Sequence, residues 1–499
     1  MTASRPNLLL VVLDCVRAWD FPGGADPTPG MPFVEELRRD SWEFPRAASV
    51  AHWTVPAHAS IFTGLYPWQH GVHAKGQLAP NPSTPQLAGM LHDAGYATMS
   101  LSSNGLISPT LGLTAGAQRA AWGVSLFNRI SERTQPPQGS QSGSVGSAVA
   151  ERFLRNRMKS ASYWAAVYLA RYPGFWDLGT HVVHRMRHGD AGPPPRMAPW
   201  LEPTLGRWLA DVPPEQPAYC FINLLDAHEP YLSDLGEPSS ASGWWDYART
   251  RQDRLGWVSG EWKPTAPEFQ RLHELYRGTL RLLDRRLRAI VEEFRKAGRW
   301  DNTLLVLTSD HGQAFGEHGT LFHITSIDEP ELRIPLLVRP PGGAGGPRTA
   351  QGWASLVDIA PTFLGAAGVS DRASSLPGVD LKSVFEAPRP TPVFAMSDGL
   401  VHAPDAARAP SERRAAIDRL LVGAYIDDRK LILDPTNGEV RAFDVLRDRH
   451  ETNDLWTSQR ADFADLGDLA AEVARQLAGG PGPEMGADVE DRLRSWGYI

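Results

Sequence analysis

Two uninterrupted apolar stretches of this chain end in acid. Asn7-Leu-Leu-Leu-Val-Val-Leu13 runs into Asp14, and Asn302-Thr-Leu-Leu-Val-Leu-Thr-Ser309 runs into Asp310-His311. Their length and β-branched content predict buried parallel strands rather than helices. Each strand delivers its acid at its carboxyl end, where ligands of open α/β sheets gather, and Gly312 follows where the backbone must turn sharply. Between them lies Ala51-His-Trp-Thr-Val-Pro-Ala-His-Ala-Ser-Ile-Phe-Thr-Gly64. Pro56 predicts a helix that starts just past Thr54, and the N-terminus of that helix favours an anion.

Further along, residues 132–147 are rich in Ser, Gly, Gln and Pro and read as a loop. Residues 149–160 and 161–171 carry helical spacing with aromatic and aliphatic residues on one side. Either they pack in a core, or the cluster Tyr163-Trp164, Tyr168, Tyr172 and Phe175-Trp176 forms a lid or membrane-surface helix. Gly192-Pro-Pro-Pro195 ends that segment, and Trp244-Trp245, Trp257 and Trp262 form another aromatic-rich stretch. They line an apolar pocket for an aryl, nucleoside or lipid group, or serve as ordinary packing. From about Ser370 a Pro-punctuated link leads to short strands at 420–425, 430–433 and 440–443, with Pro435-Thr-Asn-Gly438 as a hairpin turn and a helix over 461–476.

At 499 residues, of which 42% are hydrophobic, the chain buries a large core and divides into two unequal lobes. Residues 1–369 are expected to form a doubly wound α/β domain with a variable lid or substrate segment at about 120–217. Residues 370–499 are expected to form a smaller α+β subdomain carrying an antiparallel sheet. A net charge of −7 with no basic block argues against nucleic-acid binding. Cys15 and Cys220 sit in or beside predicted strands, which excludes a disulfide framework. No apolar run approaches the roughly 20 residues of a membrane-spanning helix, and the opening residues do not read as a secretory signal. The expected compartment is the cytoplasm, and the expected partner is a small anionic ester.

The candidate chemistry rests on Asp14, Thr54, Asp310 and His311. Two carboxylates, a hydroxyl and an imidazole form an oxygen-rich set suited to manganese, zinc, magnesium or calcium. A divalent cation lowers the pKa of an oxygen bound to it by many units, so this set describes an activated hydroxyl nucleophile. Each residue also has an ordinary use, Asp14 as a turn residue and Thr54 as a helix N-cap.

The motifs around these residues resemble the sulfatase-like branch of the alkaline phosphatase superfamily. The resemblance rests on the nucleophile segment, the Asp-His-Gly motif at 310–312 and the strand end Phe221-Ile-Asn-Leu-Leu-Asp-Ala-His-Glu-Pro-Tyr231. Residues 276–284, 333–342, 355–364 and 488–498 are also similar, with a gap from about Ala120 to Pro217. It implies an alkaline-phosphatase-like mixed sheet flanked by helices, a C-terminal subdomain and one divalent metal. A second metal, held by Asp226, His228 and His323, is the lesser alternative, because Asp-x-His is a short spacing for it and Cys15 stands where many sulfatases carry a second Asp.

The chain departs from the formylglycine motif. Thr54 occupies the place of its Cys or Ser, and His58 the place of its Arg. Threonine there resembles phosphotransfer members such as lipoteichoic acid synthases and lipid A phosphoethanolamine transferases. The resemblance therefore implies a hydrolase or transferase of phosphate or phosphonate esters with a covalent phosphoryl-threonine intermediate. The alternatives are a sulfatase working without formylglycine and a non-catalytic anion-binding protein. His228 and His323 are expected to contact the transferred group or leaving oxygen, His323 as a proton donor. His58 and Lys75 are expected to bind substrate, while His52, His73 and His318 share these motifs without an assigned role.

Overall fold

The computed structural model describes residues 5–74, 76–123, 129–131, 198, 200–229, 231, 250–252, 254–324, 326–389, 391–399, 410–411 and 417–478. Lys75, the loop at 132–147, the helical segments at 149–171, and the motifs at 172–176, 192–195, 244–245 and 488–498 lie outside the described residues.

The strands up to the middle of the chain are β1 (Asn7–Leu13), β2 (Trp42–Glu43), β3 (Ala47–Ala48), β4 (Ala97–Ser102), β5 (Arg119–Trp122), β6 (Arg129–Ser131), β7 (Ala218–Leu224) and β8 (Thr303–Ser309). They are followed by β9 (Ala314–Phe315), β10 (Leu321–Phe322), β11 (Leu336–Arg339), β12 (Arg348–Thr349) and β13 (Ala354–Ser355). The last four are β14 (Val393–Ser397), β15 (Leu421–Ile426), β16 (Arg429–Asp434) and β17 (Glu439–Asp444). A nine-stranded mixed sheet runs β12-β2-β11-β8-β1-β7-β4-β5-β6. β1 lies at its centre, parallel to β7 and β8, with Leu13 opposite both Leu224 and Ser309. That register brings Asp14, Asp310 and the turn after β7 out side by side.

Both faces of β1 are buried, which explains its unbroken apolar run. Leu9, Val11 and Leu13 face a core shared with helices Leu201–Asp211 and Ala266–Lys296. Leu8, Leu10 and Val12 face helix α2 (Thr54–Thr63), which follows helix α1 (Pro32–Arg39) along the chain, and helix Ile359–Ala366. The 31-residue helix Ala266–Lys296 opens with a capping box between Thr265 and Glu268 and closes with Arg295 and Lys296, which suit its dipole. Trp257 and Trp262 are buried in the first of these cores, so they serve as packing.

The smaller sheet is antiparallel in the order β14-β15-β16-β17, with helix Ala464–Ala478 packed on it. Its hairpin turn spans Pro435–Gly438 with Gly438 at φ 74°, as the Asn-Gly pair predicts. The fully buried Lys430 fastens this sheet to the larger one. Its Nζ lies 2.6 Å from Glu451 Oε1 and 3.3 Å from Glu329 Oε1, and donates to Ile327 O at 2.7 Å. Glu329 also pairs with Arg333 at 2.5 Å. Burial pushes the Glu451 carboxyl up to about 8 against the pull of Lys430.

Removing one partner of a buried ion pair leaves an uncompensated charge. Lys430→Met is expected to cost about 3–5 kcal/mol of unfolding free energy, measured by urea denaturation, whereas Lys382→Met at the exposed Glu386 pair should change it by less than about 1 kcal/mol.

Candidate active site

The site lies at the carboxyl edge of β1, β7 and β8. Asp14 follows β1 and is fully buried; its Oδ2 accepts a hydrogen bond from Asn104 Nδ2 at 2.9 Å, and its Oδ1 lies 3.2 Å from Cys15 Sγ. Asp310 follows β8 and is equally buried. Its Oδ1 accepts from the amides of Cys15 at 3.1 Å and His311 at 2.9 Å. Its Oδ2 has no hydrogen-bond partner, although His311 Nε2 stands 3.4 Å away.

His311 donates from Nδ1 to Gly312 O at 2.9 Å, which turns Nε2 toward the interior of the site. There it meets Thr54 Oγ1 at 3.4 Å. The helix carrying Thr54 begins at that residue rather than just past it, and Trp53 is its N-cap, so the Thr54 hydroxyl caps nothing. Thr54, Asp310 and His311 thus converge beside Asp14.

Local backbone features hold this edge in place. Cys15 sits at φ 62°, a left-handed conformation that turns the chain directly after Asp14. The Tyr276 hydroxyl meets both Cys15 O at 3.2 Å and the Arg17 amide at 2.9 Å. Ser309 Oγ contacts His311 O at 2.7 Å and accepts from the Val16 amide at 2.9 Å. Gly312 is required by close approach rather than by an unusual φ, since a Cβ there would stand 2.1 Å from Pro330 O.

Burial dominates the electrostatics of the two acids. Burial, then Asp310, raises the Asp14 carboxyl to about 6; burial raises Asp310 to about 7. Two dehydrated carboxylates and an unpartnered oxygen fit a divalent cation, and Thr54 Oγ1 and His311 Nε2 complete an oxygen-rich donor set.

Beyond β7, His228 bonds through Nδ1 to Glu229 O at 2.6 Å, and its ring meets that of His323 with centroids 5.0 Å apart. Burial lowers the His228 pKa, but the carboxylates of Glu229 and Asp14 outweigh it and raise the group. His323 is held well below its ordinary value by burial and by neighbouring His311 and His228, so it is neutral and holds no spare proton. Its Nδ1 donates to Gln313 Oε1 at 2.8 Å.

Other expected residues take different places. His58 is fully buried, bonded through Nδ1 to Thr54 O at 2.9 Å, 3.6 Å from Asp310 Oδ2 and packed on Phe62 and Phe221. Burial takes its pKa to about 3, so it carries none of the charge of an arginine. Asp226 turns away to Arg286 at 2.7 Å, with Glu202 on the same guanidinium, and is therefore no partner for His228 and His323. His52 is buried, and His73 bonds to Asp398 at 2.5 Å at the end of β14. His318 lies in the turn at Glu317–Gly319.

Glu229, Gln313 and Asn104 had drawn no attention in the sequence. Glu229 and Gln313 stand inside recognisable motifs next to noted residues, a signal that was available; Asn104 depends on β4 lying beside β7, which periodicity does not reveal.

Cation binding requires both carboxylates ionised. Below pH 6 the free protein holds protons on Asp14 and Asp310 that a cation must displace, and above pH 7 it does not. The rise in Tm produced by saturating Mn²⁺ or Zn²⁺ is therefore expected to be large at pH 8 and to shrink toward zero at pH 5, measured by differential scanning fluorimetry with and without chelator.

Comparison with known proteins places the chain in a family and finds structures of the same fold. The Sulfatase family model matches residues 6–154 and 196–369. The uncharacterized sulfatase YidJ of Escherichia coli strain K12 is 24% identical over 387 residues, covering 77% of this chain and 71% of that protein. The phosphonate monoester hydrolase of Agrobacterium radiobacter superposes with a TM-score of 0.62 at 19% identity over 95% of each chain. BT4656, solved with its substrate D-glucosamine-2-N,6-O-disulfate, gives 0.62 at 18% identity over 97% of this chain and 100% of its own.

Proposed function

The chain belongs to the sulfatase family and is an ester-hydrolysing enzyme, and on that premise we propose that it cleaves phosphate or phosphonate esters with Thr54 as the nucleophile. The observation that carries this reading is Thr54 Oγ1, free of any capping role and 3.4 Å from His311 Nε2 beside two buried carboxylates.

When bound by Asp14, Thr54, Asp310 and His311, a divalent cation supplies acidification of the hydroxyl and neutralises charge on the substrate. Thr54 Oγ1 bonds to phosphorus as the bond from phosphorus to the leaving oxygen breaks. The proton given up by Thr54 balances the one gained by the leaving alcohol. Thr54 opens α2, and a helix N-terminus favours an anion. His323, its ring 4.6 Å from that of His311, and His228 beside it serve the equatorial oxygens of the transferred group. Water or an acceptor alcohol then attacks the phosphoryl-threonine and frees Thr54.

A second reading, sulfate-ester hydrolysis, draws on the sulfatases among the relatives. Without Cys or Ser at position 54 it has to proceed without formylglycine.

Turnover of aryl phosphate monoester, phosphate diester, phosphonate ester and sulfate ester by metal-reconstituted enzyme distinguishes these readings. Phosphate or phosphonate turnover is expected to dominate and to fall on the order of 10³-fold or more in Thr54→Ala, with phosphorylated Thr54 recovered by mass spectrometry after acid quench. Sulfate preference would transfer the assignment to the second reading; turnover unchanged in Thr54→Ala would eliminate Thr54 as nucleophile.

A further inference from the structure

The nucleophile motif brings no cation to this site, because His58 stands in place of its Arg and burial keeps that imidazole neutral. Other arginines are committed to acids: Arg17 pairs with Asp20 and Glu317, Arg286 with Asp226 and Glu202, and Arg333 with Glu329. Arg254 is not. We propose that Arg254 forms a substrate subsite that recognises an anionic substituent on the leaving half of the ester.

Arg254 opens the short helix Arg254–Ser259, whose Trp257 and Val258 are buried in the core beside β1. The backbone is thereby anchored, while the Arg254 side chain remains 35% exposed. Among the described residues its guanidinium meets one acid, with Nη1 3.7 Å from Glu229 Oε1. That separation is too long for a direct hydrogen bond, and Glu229 Oε1 accepts none. The guanidinium fork therefore keeps its capacity to grip a carboxylate or phosphate through two parallel bonds.

Glu229 fixes where this fork stands relative to the chemistry. Its Oε2 accepts from Gln313 Nε2 at 3.2 Å and lies 3.6 Å from His228 Nδ1 and 3.7 Å from His323 Nδ1, while Oε1 faces Arg254. The carboxylate thus stands between the guanidinium and the two rings assigned to the transferred group. Side-chain exposure rises from 4% at His323 through 16% at His228 to 35% at Arg254. Arg254 is accordingly at the mouth, where the departing half of the substrate must lie. Burial acts most strongly on the His228, His323 and His52 imidazoles, and in each the Arg254 charge adds a further downward push. The guanidinium is within electrostatic reach of three segments that meet at the site.

The same segment carries a second donor. Gln252 is held through Oε1, which accepts from the Tyr231 amide at 2.6 Å, and its buried Nε2 has no hydrogen-bond partner among the described residues. A buried donor left unanswered costs free energy, so residues 252 and 254 both offer N–H groups without a committed acceptor. The inference rests on the ester-cleaving reading of the site for what is bound there.

Two aryl esters of whichever class turns over better, phosphonate or sulfate, test it when they differ only in a para carboxylate or carboxamide on the leaving phenol. Their intrinsic reactivities cancel when one protein is compared with another. The ratio of kcat/KM for the carboxylate ester to that for the carboxamide ester is expected to fall about 10-fold or more in Arg254→Met, the worth of one charge-assisted hydrogen bond. Arg254→Lys, which keeps the charge without the fork, is expected to recover part of it. An unchanged ratio in Arg254→Met, including an equal loss on both esters, overturns the inference. Calorimetric binding of the same esters to the Thr54→Ala protein repeats the comparison without turnover: tighter binding of the carboxylate ester is expected, and equal binding overturns the inference. Thr54-dependent turnover with an unchanged ratio would sink this inference alone, and Thr54-independent turnover that keeps the Arg254-dependent preference would sink only the nucleophile assignment.

Discussion

The structure is organised around two carboxylates that the sheet buries at the ends of adjacent strands. Asp14 and Asp310 end neighbouring parallel strands in fixed register, both without solvent exposure. Taking an ionised carboxylate out of water is expensive unless it is paired, and among the described residues the groups beside these two are amides, an asparagine and imidazoles rather than Lys or Arg. Among those residues the two acids carry a local deficit of positive charge. Several buried acids elsewhere are matched internally: Asp226 and Glu202 by Arg286, Asp358 by Arg389, and Asp20 by Arg17.

Rigid surroundings make that deficit usable. The turn after β1 is fixed by left-handed Cys15 and the Tyr276 hydroxyl, and the turn after β8 by Ser309 and by the approach of Pro330 to Gly312. These contacts come from a helix and a loop far along the chain. The donor atoms consequently sit on a frame that does not relax to spread the charges apart, which is the condition under which polar groups in a dry site act strongly on a ligand.

Much of this was legible in the sequence where the signal is local. The strands at 7–13 and 303–309 follow from apolar runs that only a sheet covered on both faces tolerates, and the hairpin at Pro435–Gly438 follows from the conformational freedom of Asn-Gly. Both acids were marked by standing at strand ends. Orientation was not legible. His58 shares a motif with Thr54, but it lies one helical turn on, and the phase of α2 sends its ring between Phe62 and Phe221. Asp226 shares a motif with His228, but Arg286, sixty residues away, claims it. Asn104 enters only because β4 is two strands from β1, a fact of sheet order with no trace in local pattern.

The buried Lys430 has a consequence for how this protein can change over time. It grips Ile327 and Glu329, and in the segment it grips the Pro330 and Glu331 carbonyls accept hydrogen bonds from the amides of Gln313 and Gly312, the two residues that follow His311. The smaller sheet is thus a buttress of the edge that carries Asp310 and His311. An exchange of this sheet for another would have to bring a buried cation to the same point.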